Sequence, residues 1–77
     1  MPEYQFGKAI KSFTSADGNH RLHIVARNDG TFQYMEDVKE HDETKAYWFP
    51  ISQSGIYESA EHAEQEARSK ITWLSGL

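Results

Sequence analysis

Residues 54–74, SGIYESAEHAEQEARSKITWL, hold the longest periodic pattern of the chain and predict a turn followed by a helix. Ser59 is suited to begin this helix, because its hydroxyl can accept a hydrogen bond from a free backbone amide of the first turn. Beyond it, small and apolar residues recur every three or four positions and form one stripe (Ala60, Ala63, Ala67, Ile71 and Leu74). A stripe made mostly of alanine requires a partner that approaches closely. We therefore expect a sheet with larger side chains beneath it.

The clearest turn in the sequence is residues 28–30, Asn-Asp-Gly, in which Gly30 can adopt a positive φ and close a hairpin with a bulge. The predicted strands are residues 21–27 and 31–38, in a register that pairs Arg27 with Thr31. One face of this hairpin is expected to receive the helix (Leu22, Ile24, Ala26, Phe32 and Tyr34). The other face carries a second set of side chains (His23, Val25, Gln33 and Met35).

Residues 39–45, KEHDETK, are charged and predict an exposed loop. The aromatic run that follows, residues 46–51, predicts a third strand, with Pro50 at an edge or a bulge because proline lacks an amide donor. Strand pairing is expected to stop near Pro50. In residues 1–14, the apolar spacing favours a short helix, although the first aromatic residues also alternate as they would in a strand.

Taken together, these patterns predict one small α+β domain spanning residues 1–77. It consists of a three-stranded antiparallel β-meander, a C-terminal helix packed on one face, and a short N-terminal helix or strand. The chain is acidic, with a net charge of −4, and has no cysteine that could form a disulfide or a thiolate metal site. The sequence shows neither a signal-peptide pattern nor an apolar run long enough to span a membrane, so we expect a cytoplasmic protein.

Three kinds of function were weighed against these residues. A nucleic-acid-binding domain would use the basic side chains of the first third of the chain (Lys8, Lys11, Arg21 and Arg27). These are scattered, whereas nucleic-acid binders cluster their positive charge, so nucleic-acid binding is not favoured. A metal or small-ligand site would use His20 and His23, which a strand directs to opposite faces. No catalytic residue and no cofactor is predicted, and we expect a non-enzymatic domain.

The third kind of function follows from the consecutive aromatic residues Tyr47, Trp48 and Phe49. Strand alternation places at least one of them, which we take to be Trp48, on the face away from the helix, near Val25 and Met35. The N-terminal segment could cover this face (Tyr4, Phe6, Ile10 and Phe13). Alternatively, a second copy or another protein binds there, with Val25, Met35 and Trp48 as the candidate interface. The predicted function is a protein-interaction module that self-associates through this aromatic face.

The hairpin at residues 28–30, the next strand, and Ser54-x-x-Tyr57-x-Ser59 at a helix start resemble the small YegP-like domains of unknown function. In those domains a hairpin unit precedes a Tyr-x-Ser helix start. The resemblance covers residues 21–71 and implies a fold rather than a function, because the role of that family is unsettled. The chain departs from the family in its acidic segment 39–45 and in the run Trp48-Phe49-Pro50.

A second resemblance is to the double-stranded RNA-binding domain. It rests on the expected α-β-β-β-α order and on the run Ala63-Glu-Gln-Glu-Ala67 in the last helix. In that family, lysines at the start of this helix bind phosphate. Here the corresponding residues 58–62, ESAEH, would repel phosphate, so the resemblance does not imply RNA binding.

Overall fold

The computed structural model describes residues 3–4 and 7–76, which form one antiparallel sheet followed by helical segments. The strands are β1 (Glu3–Tyr4), β2 (Gly7–Thr14), β3 (His20–Arg27), β4 (Phe32–His41) and β5 (Ala46–Gln53). The helices are α1 (Ala60–Lys70) and the single turn α2 (Thr72–Ser75). Each strand pairs with the next along the chain, in the order β1-β2-β3-β4-β5. The predicted α+β meander with a C-terminal helix is therefore confirmed, but the sheet has four long strands and a two-residue strand rather than three strands.

The β3–β4 hairpin has the register that the Asn-Asp-Gly turn predicts. Gly30 has a φ of 86°, and the amide of Arg27 donates to the carbonyl of Thr31 at 2.8 Å. The pairs follow in step from this turn (Ala26 with Phe32, Ile24 with Tyr34, Leu22 with Glu36, and Arg21 with Asp37). The positive φ is readily adopted by glycine, and the turn therefore determines which side chains share each face.

The apolar spacing favours an N-terminal helix, and this prediction is wrong for residues 7–14, which form strand β2. The register of β2 against β3 shifts between Ala9 and Lys11, so Ile10 is an inserted residue. Such a bulge interrupts the two-residue alternation, which is why the sequence of this strand looks helical. Gly7 allows the strands to approach closely, because a Cβ atom there would collide with the carbonyl oxygen of Ala26.

Helix α1 begins as predicted and ends earlier. The hydroxyl of Ser59 accepts a hydrogen bond from the backbone amide of His62 at 3.1 Å, which satisfies one free donor of the first turn. The predicted continuous helix to Leu74 is interrupted at Ile71, whose backbone is extended before α2 begins. This break allows Leu74 to reach the core, where it is fully buried.

The alanine stripe of α1 lies on the large side chains of β3 and β4, as expected. The fully buried core cluster contains residues from the sheet and from both helices (Leu22, Ile24, Tyr34, Ala63, Ala67 and Leu74). Phe13, Phe32 and Trp73 pack against its rim. The face of the sheet covered by α1 is called the helix side below, and the opposite face is called the far face. None of the helices in the described part of the chain is long and apolar enough to cross a membrane.

The β4–β5 hairpin is longer than the sequence predicts. Strand β4 continues to His41, so the charged segment 39–45 is a loop only at its turn. There, the side chain of Asp42 accepts hydrogen bonds from the backbone amides of Thr44 and Lys45, each at 2.8 Å. Pro50 lies in an edge strand beside a register shift, as predicted, but pairing continues past it to Gln53.

Candidate interaction surface

The three residues of the predicted interface lie on the far face but do not form one exposed surface. In register, Val25 pairs with Gln33, Met35 with His23, and Trp48 with Lys39. Val25 is only 1% exposed, so a partner could not contact its side chain in this conformation. Trp48 is half-buried and lies further along β4 than Met35, beyond the pair that Asp37 forms with Pro50.

The expectation that the N-terminal segment covers the far face is wrong for Phe13. Its ring packs on the helix side, against the core, because Phe13 pairs with Leu22. Ile10 remains 42% exposed. Phe6 and the side chain of Tyr4 lie outside the described residues.

A row of polar side chains crosses the far face from β2 to β5. The hydroxyl of Ser12 lies 2.7 Å from Nδ1 of His23, and Nε2 of His23 lies 3.3 Å from Oδ2 of Asp37. The guanidinium of Arg21 donates to the same carboxylate oxygen at 3.2 Å. It also lies 4.1 Å from the centre of the Trp48 ring, a cation–π contact. Arg21 therefore links β3 to β5 across the intervening strand.

The charge state of this row follows from the burial of His23, whose side chain is 3% exposed. Burial lowers the pKa of His23 below its usual value of 6.5; the charge of Arg21 lowers it further, and Asp37 acts in the opposite direction. A carboxylate only accepts hydrogen bonds, so the arrangement suits the tautomer with its proton on Nε2, and Nδ1 then accepts from Ser12. The order Ser-His-Asp also occurs in hydrolases, but here the imidazole is sealed within the sheet surface and a substrate could not reach it.

The four cations of the nucleic-acid alternative are divided between the two faces. Lys8 and Lys11 pair with Ala26 and Ile24 and lie on the helix side, whereas Arg21 and Arg27 belong to the far face. Three of them are paired with carboxylates (Lys11 with Glu64 at 2.8 Å, Arg21 with Asp37 at 3.2 Å, and Arg27 with Asp29 at 3.6 Å). The hydrogen bond from Lys11 is the main cause that lowers the pKa of Glu64. These residues therefore do not form a single basic surface.

The two histidines of the metal alternative are also separated. His20 lies on the helix side, where its Nδ1 is 3.3 Å from Glu36 and its ring is 6.0 Å from that of Trp73. His23 lies on the far face. Within residues 3–4 and 7–76, no three side chains of the metal-binding types are grouped to hold an ion.

A surface that the sequence reasoning did not identify runs along β5 and the connection to α1. We call residues 46–57 the outer edge. Its large apolar side chains are about half exposed (Tyr47 42%, Phe49 51%, Ile51 47% and Ile56 53%). Tyr47 and Phe49 pair with Glu40 and Val38, which places both rings on the helix side, next to the part of the sheet that α1 covers.

The outer edge is one continuous border of the sheet. Beyond β5, Ser54 donates its amide to the carbonyl of Tyr34 at 2.9 Å, and Tyr57 exchanges two backbone hydrogen bonds with Phe32. The connection to α1 therefore continues along β4 in the manner of a strand. The twelve residues from 46 to 57 contain no charged side chain, in a chain of which 26% is charged. This uncharged run is the sequence signal that could have identified the surface.

Comparison with known proteins yields no relative. No protein-family model, no curated protein and no solved structure matches this chain. The resemblance to the YegP-like domains thus stays an expectation from the sequence.

Proposed function

We propose that this domain is a non-enzymatic protein-interaction module that self-associates, and that a second copy binds at the outer edge. The observation that carries the proposal is the twelve-residue border without a charged side chain, along which four large apolar side chains are about half exposed. Monomeric proteins usually protect the edge strand of a sheet with charged side chains, especially lysine. The outer edge has only Pro50 in that role.

The size of the apolar surface suits the centre of an interface. An aromatic side chain presents about 200 Å², so half exposure leaves roughly 100 Å² for each of Tyr47 and Phe49. With Ile51 and Ile56, the outer edge exposes on the order of 400 Å² of apolar side chain, which is the range of functional patches. A specific interface buries about 800 Å² per partner, of which somewhat more than half is apolar. The outer edge supplies that apolar share.

Charge favours a second copy of the chain as the partner. In a two-fold contact, a surface meets the same surface on the other molecule, so any net charge in the contact is repelled by its own copy. The chain carries a net charge of −4, and most of its surface would meet this repulsion. The outer edge is uncharged and can face itself without it.

The proposed surface includes one of the three residues that the sequence suggested. Trp48 is part of the outer edge and directs its ring to the far face, where Arg21 covers it. Val25 is buried in the sheet and contributes to folding rather than to contact. The aromatic side chains proposed to meet the partner are Tyr47 and Phe49, on the helix side.

Sedimentation equilibrium at tens of micromolar tests the proposal. The wild-type chain is expected to have a mass near twice the 8.9 kDa of the monomer. Phe49→Lys should shift it to the monomer, because burying an unpaired ammonium group in an apolar contact is costly. Ile10→Lys is the matched control, since Ile10 is similarly exposed but lies on β2, and it should leave the mass unchanged.

The thermal unfolding of each variant separates loss of contact from loss of fold. The proposal predicts that Phe49→Lys unfolds at a temperature close to that of Ile10→Lys, apart from the stabilisation that association itself provides. A wild-type chain that remains monomeric at these concentrations would refute self-association. A dimer that Ile10→Lys dissociates and Phe49→Lys does not would place the contact elsewhere.

A further inference from the structure

No strand in the described part of the sheet pairs with the outer side of β5. The hydrogen bonds of the β4–β5 hairpin show which residues of β5 direct their backbone groups to that side. The amide of Asp42 donates to the carbonyl of Lys45 at 2.9 Å, so the backbone groups of this pair face each other across the hairpin. In an antiparallel ladder, bonded and non-bonded pairs alternate. Tyr47 and Phe49 therefore direct their amides and carbonyls towards β4. Ala46 and Trp48 direct theirs away from it, as Pro50 does its carbonyl.

A second hydrogen bond supports this assignment independently. The amide of Lys39, which pairs with Trp48, donates to the carbonyl of Asn19 at 2.8 Å on the β3 side. Lys39 and Trp48 are thus a non-bonded pair whose backbone groups point apart. The backbone groups of Trp48 consequently face the open border of the sheet.

We propose that two copies join β5 to β5 in antiparallel orientation, around a two-fold axis at Trp48, so that their sheets become one continuous sheet. This inference rests on the proposed self-association and specifies its geometry. The axis pairs Trp48 with Trp48 of the second copy, Tyr47 with Phe49, and Ala46 with Pro50. Every one of these pairs is apolar on both sides.

The missing amide of Pro50 and the charge of Lys45 favour this register over its two neighbours. With the axis at Trp48, the two Trp48 residues exchange two hydrogen bonds, and each Ala46 donates one to the carbonyl of the opposite Pro50. With the axis at Phe49, each Trp48 would face Pro50 of the other copy. Each of these two pairs would have only one hydrogen bond, from the Trp48 amide, because Pro50 has no amide to donate in return. With the axis at Tyr47, the charged Lys45 would face Phe49. The Tyr47 register allows as many hydrogen bonds, four, through its two Ala46–Trp48 pairs. The Trp48 register instead pairs the longer apolar run, residues 46–50, before Lys45 meets Ile51.

The side chains on both faces are compatible with this pairing. On the helix side, Tyr47 and Phe49 of opposite copies form aromatic pairs across the strands, a favourable cross-strand combination. On the far face, the two indole rings lie side by side at the axis. Arg21 covers part of each ring, and its charge is balanced by Asp37. Lys39 also lies over the ring, at 6.0 Å, but it is on β4, so the two copies of Lys39 would be three strand spacings apart, about 14 Å.

Cysteine crosslinking tests the register directly, since the chain has no cysteine of its own. A bonded antiparallel pair has Cα atoms about 5.5 Å apart, within the range that a disulfide spans. Trp48→Cys should form a covalent dimer under mild oxidation, visible on a non-reducing gel. Ala46→Cys is the control, because the two copies of residue 46 would be offset by four residues, about 14 Å, and it should remain uncrosslinked.

A second crosslink tests the same register without changing Trp48, whose replacement by cysteine could itself disrupt the fold or the contact. An equimolar mixture of Tyr47→Cys and Phe49→Cys should form the mixed disulfide in preference to either self-disulfide, because these residues face each other in a non-bonded pair about 4.5 Å apart. A dimer in sedimentation that shows neither crosslink would overturn the β5 register and leave self-association standing. A monomer in sedimentation would overturn both. Equal crosslinking at Ala46 and Trp48 would show random collision and would also overturn the register.

Discussion

Replacement of Ala67 by leucine tests how closely α1 approaches the sheet. Ala67 is fully buried and belongs to the cluster formed with Leu22, Ile24 and Tyr34. If there were space, three additional carbon atoms would stabilise the fold by about 2.4 kcal/mol, at about 0.8 kcal/mol for each buried CH₂ group. Because Ala67 has 0% exposure in a cluster that also holds a large tyrosine side chain, we expect no such space. The helix must move away, or a neighbour must leave its rotamer.

We expect Ala67→Leu to lower the free energy of unfolding by about 1–3 kcal/mol, the usual cost of overpacking. For a domain of this length, each 1 kcal/mol corresponds to roughly 4–8 °C in the unfolding temperature. The measurement is urea unfolding followed by circular dichroism, with thermal unfolding as a second readout. Gln65→Leu is the matched control because it introduces the same side chain at an exposed position of α1; it should change the free energy by no more than about 0.5 kcal/mol. Equal effects of the two substitutions would refute the orientation of the helix.

Two further predictions concern the sheet. Gly7→Ala should destabilise the fold by more than Gly55→Ala, because a Cβ atom at Gly7 would meet the Ala26 carbonyl whereas Gly55 has open space around it; thermal unfolding of both variants measures this, and equal unfolding temperatures would contradict it. Burial keeps the pKa of His23 below 6.5 in the folded chain, so the unfolded chain binds the proton more readily. The contribution of His23 to the free energy of unfolding should therefore fall as the pH drops below 6.5, and it should not change with pH above 6.5. Urea unfolding between about pH 5 and 7 should show a weaker pH dependence in His23→Gln, and an unchanged dependence would assign it to other groups.

The β3–β4 hairpin shows what the sequence alone could predict. A tight turn with glycine at its third position determines which residues face each other, and the two-residue period then assigns each side chain to a face. The pairs from Arg21–Asp37 to Ala26–Phe32 follow. The same applies to the start of α1, where Ser59 supplies a local cap that does not depend on the rest of the fold.

Strand β2 could not be read in this way, because its pattern is interrupted. Ile10 is inserted opposite β3, so residues before and after it reach the same face at odd spacing. Only the partner strand reveals the bulge, since pairing is a property of two segments. The length of β4 was missed for a related reason. Its charged residues after Val38 are typical of a solvated loop, but they pair with the aromatic residues of β5.

The outer edge was missed because its exposure depends on the widths of the two layers. The sequence placed the unprotected aromatic side chain on the far face, at Trp48. However, a helix is about 10 Å wide and strands are about 4.8 Å apart, so one helix covers about two strands of a sheet. Helix α1 lies over β3 and β4 and leaves the helix side of β2 and of β5 beside it. The two uncovered strands differ in what they present.

On β2, the uncovered side is spanned by Lys11, which reaches Glu64 of α1 at 2.8 Å, and this charged pair is compatible with water. On β5, the same side presents Tyr47 and Phe49 without a charged residue nearby in the strand. If the sheet were wider than its helix merely by chance, both uncovered strands would be expected to carry polar side chains on this side, as strands near an edge usually do. The contrast between β2, which carries a charged pair on this side, and the uncharged β5 instead favours the proposed partner at β5, and a contact through that border alone gives a closed pair of sheets and not an extending fibre.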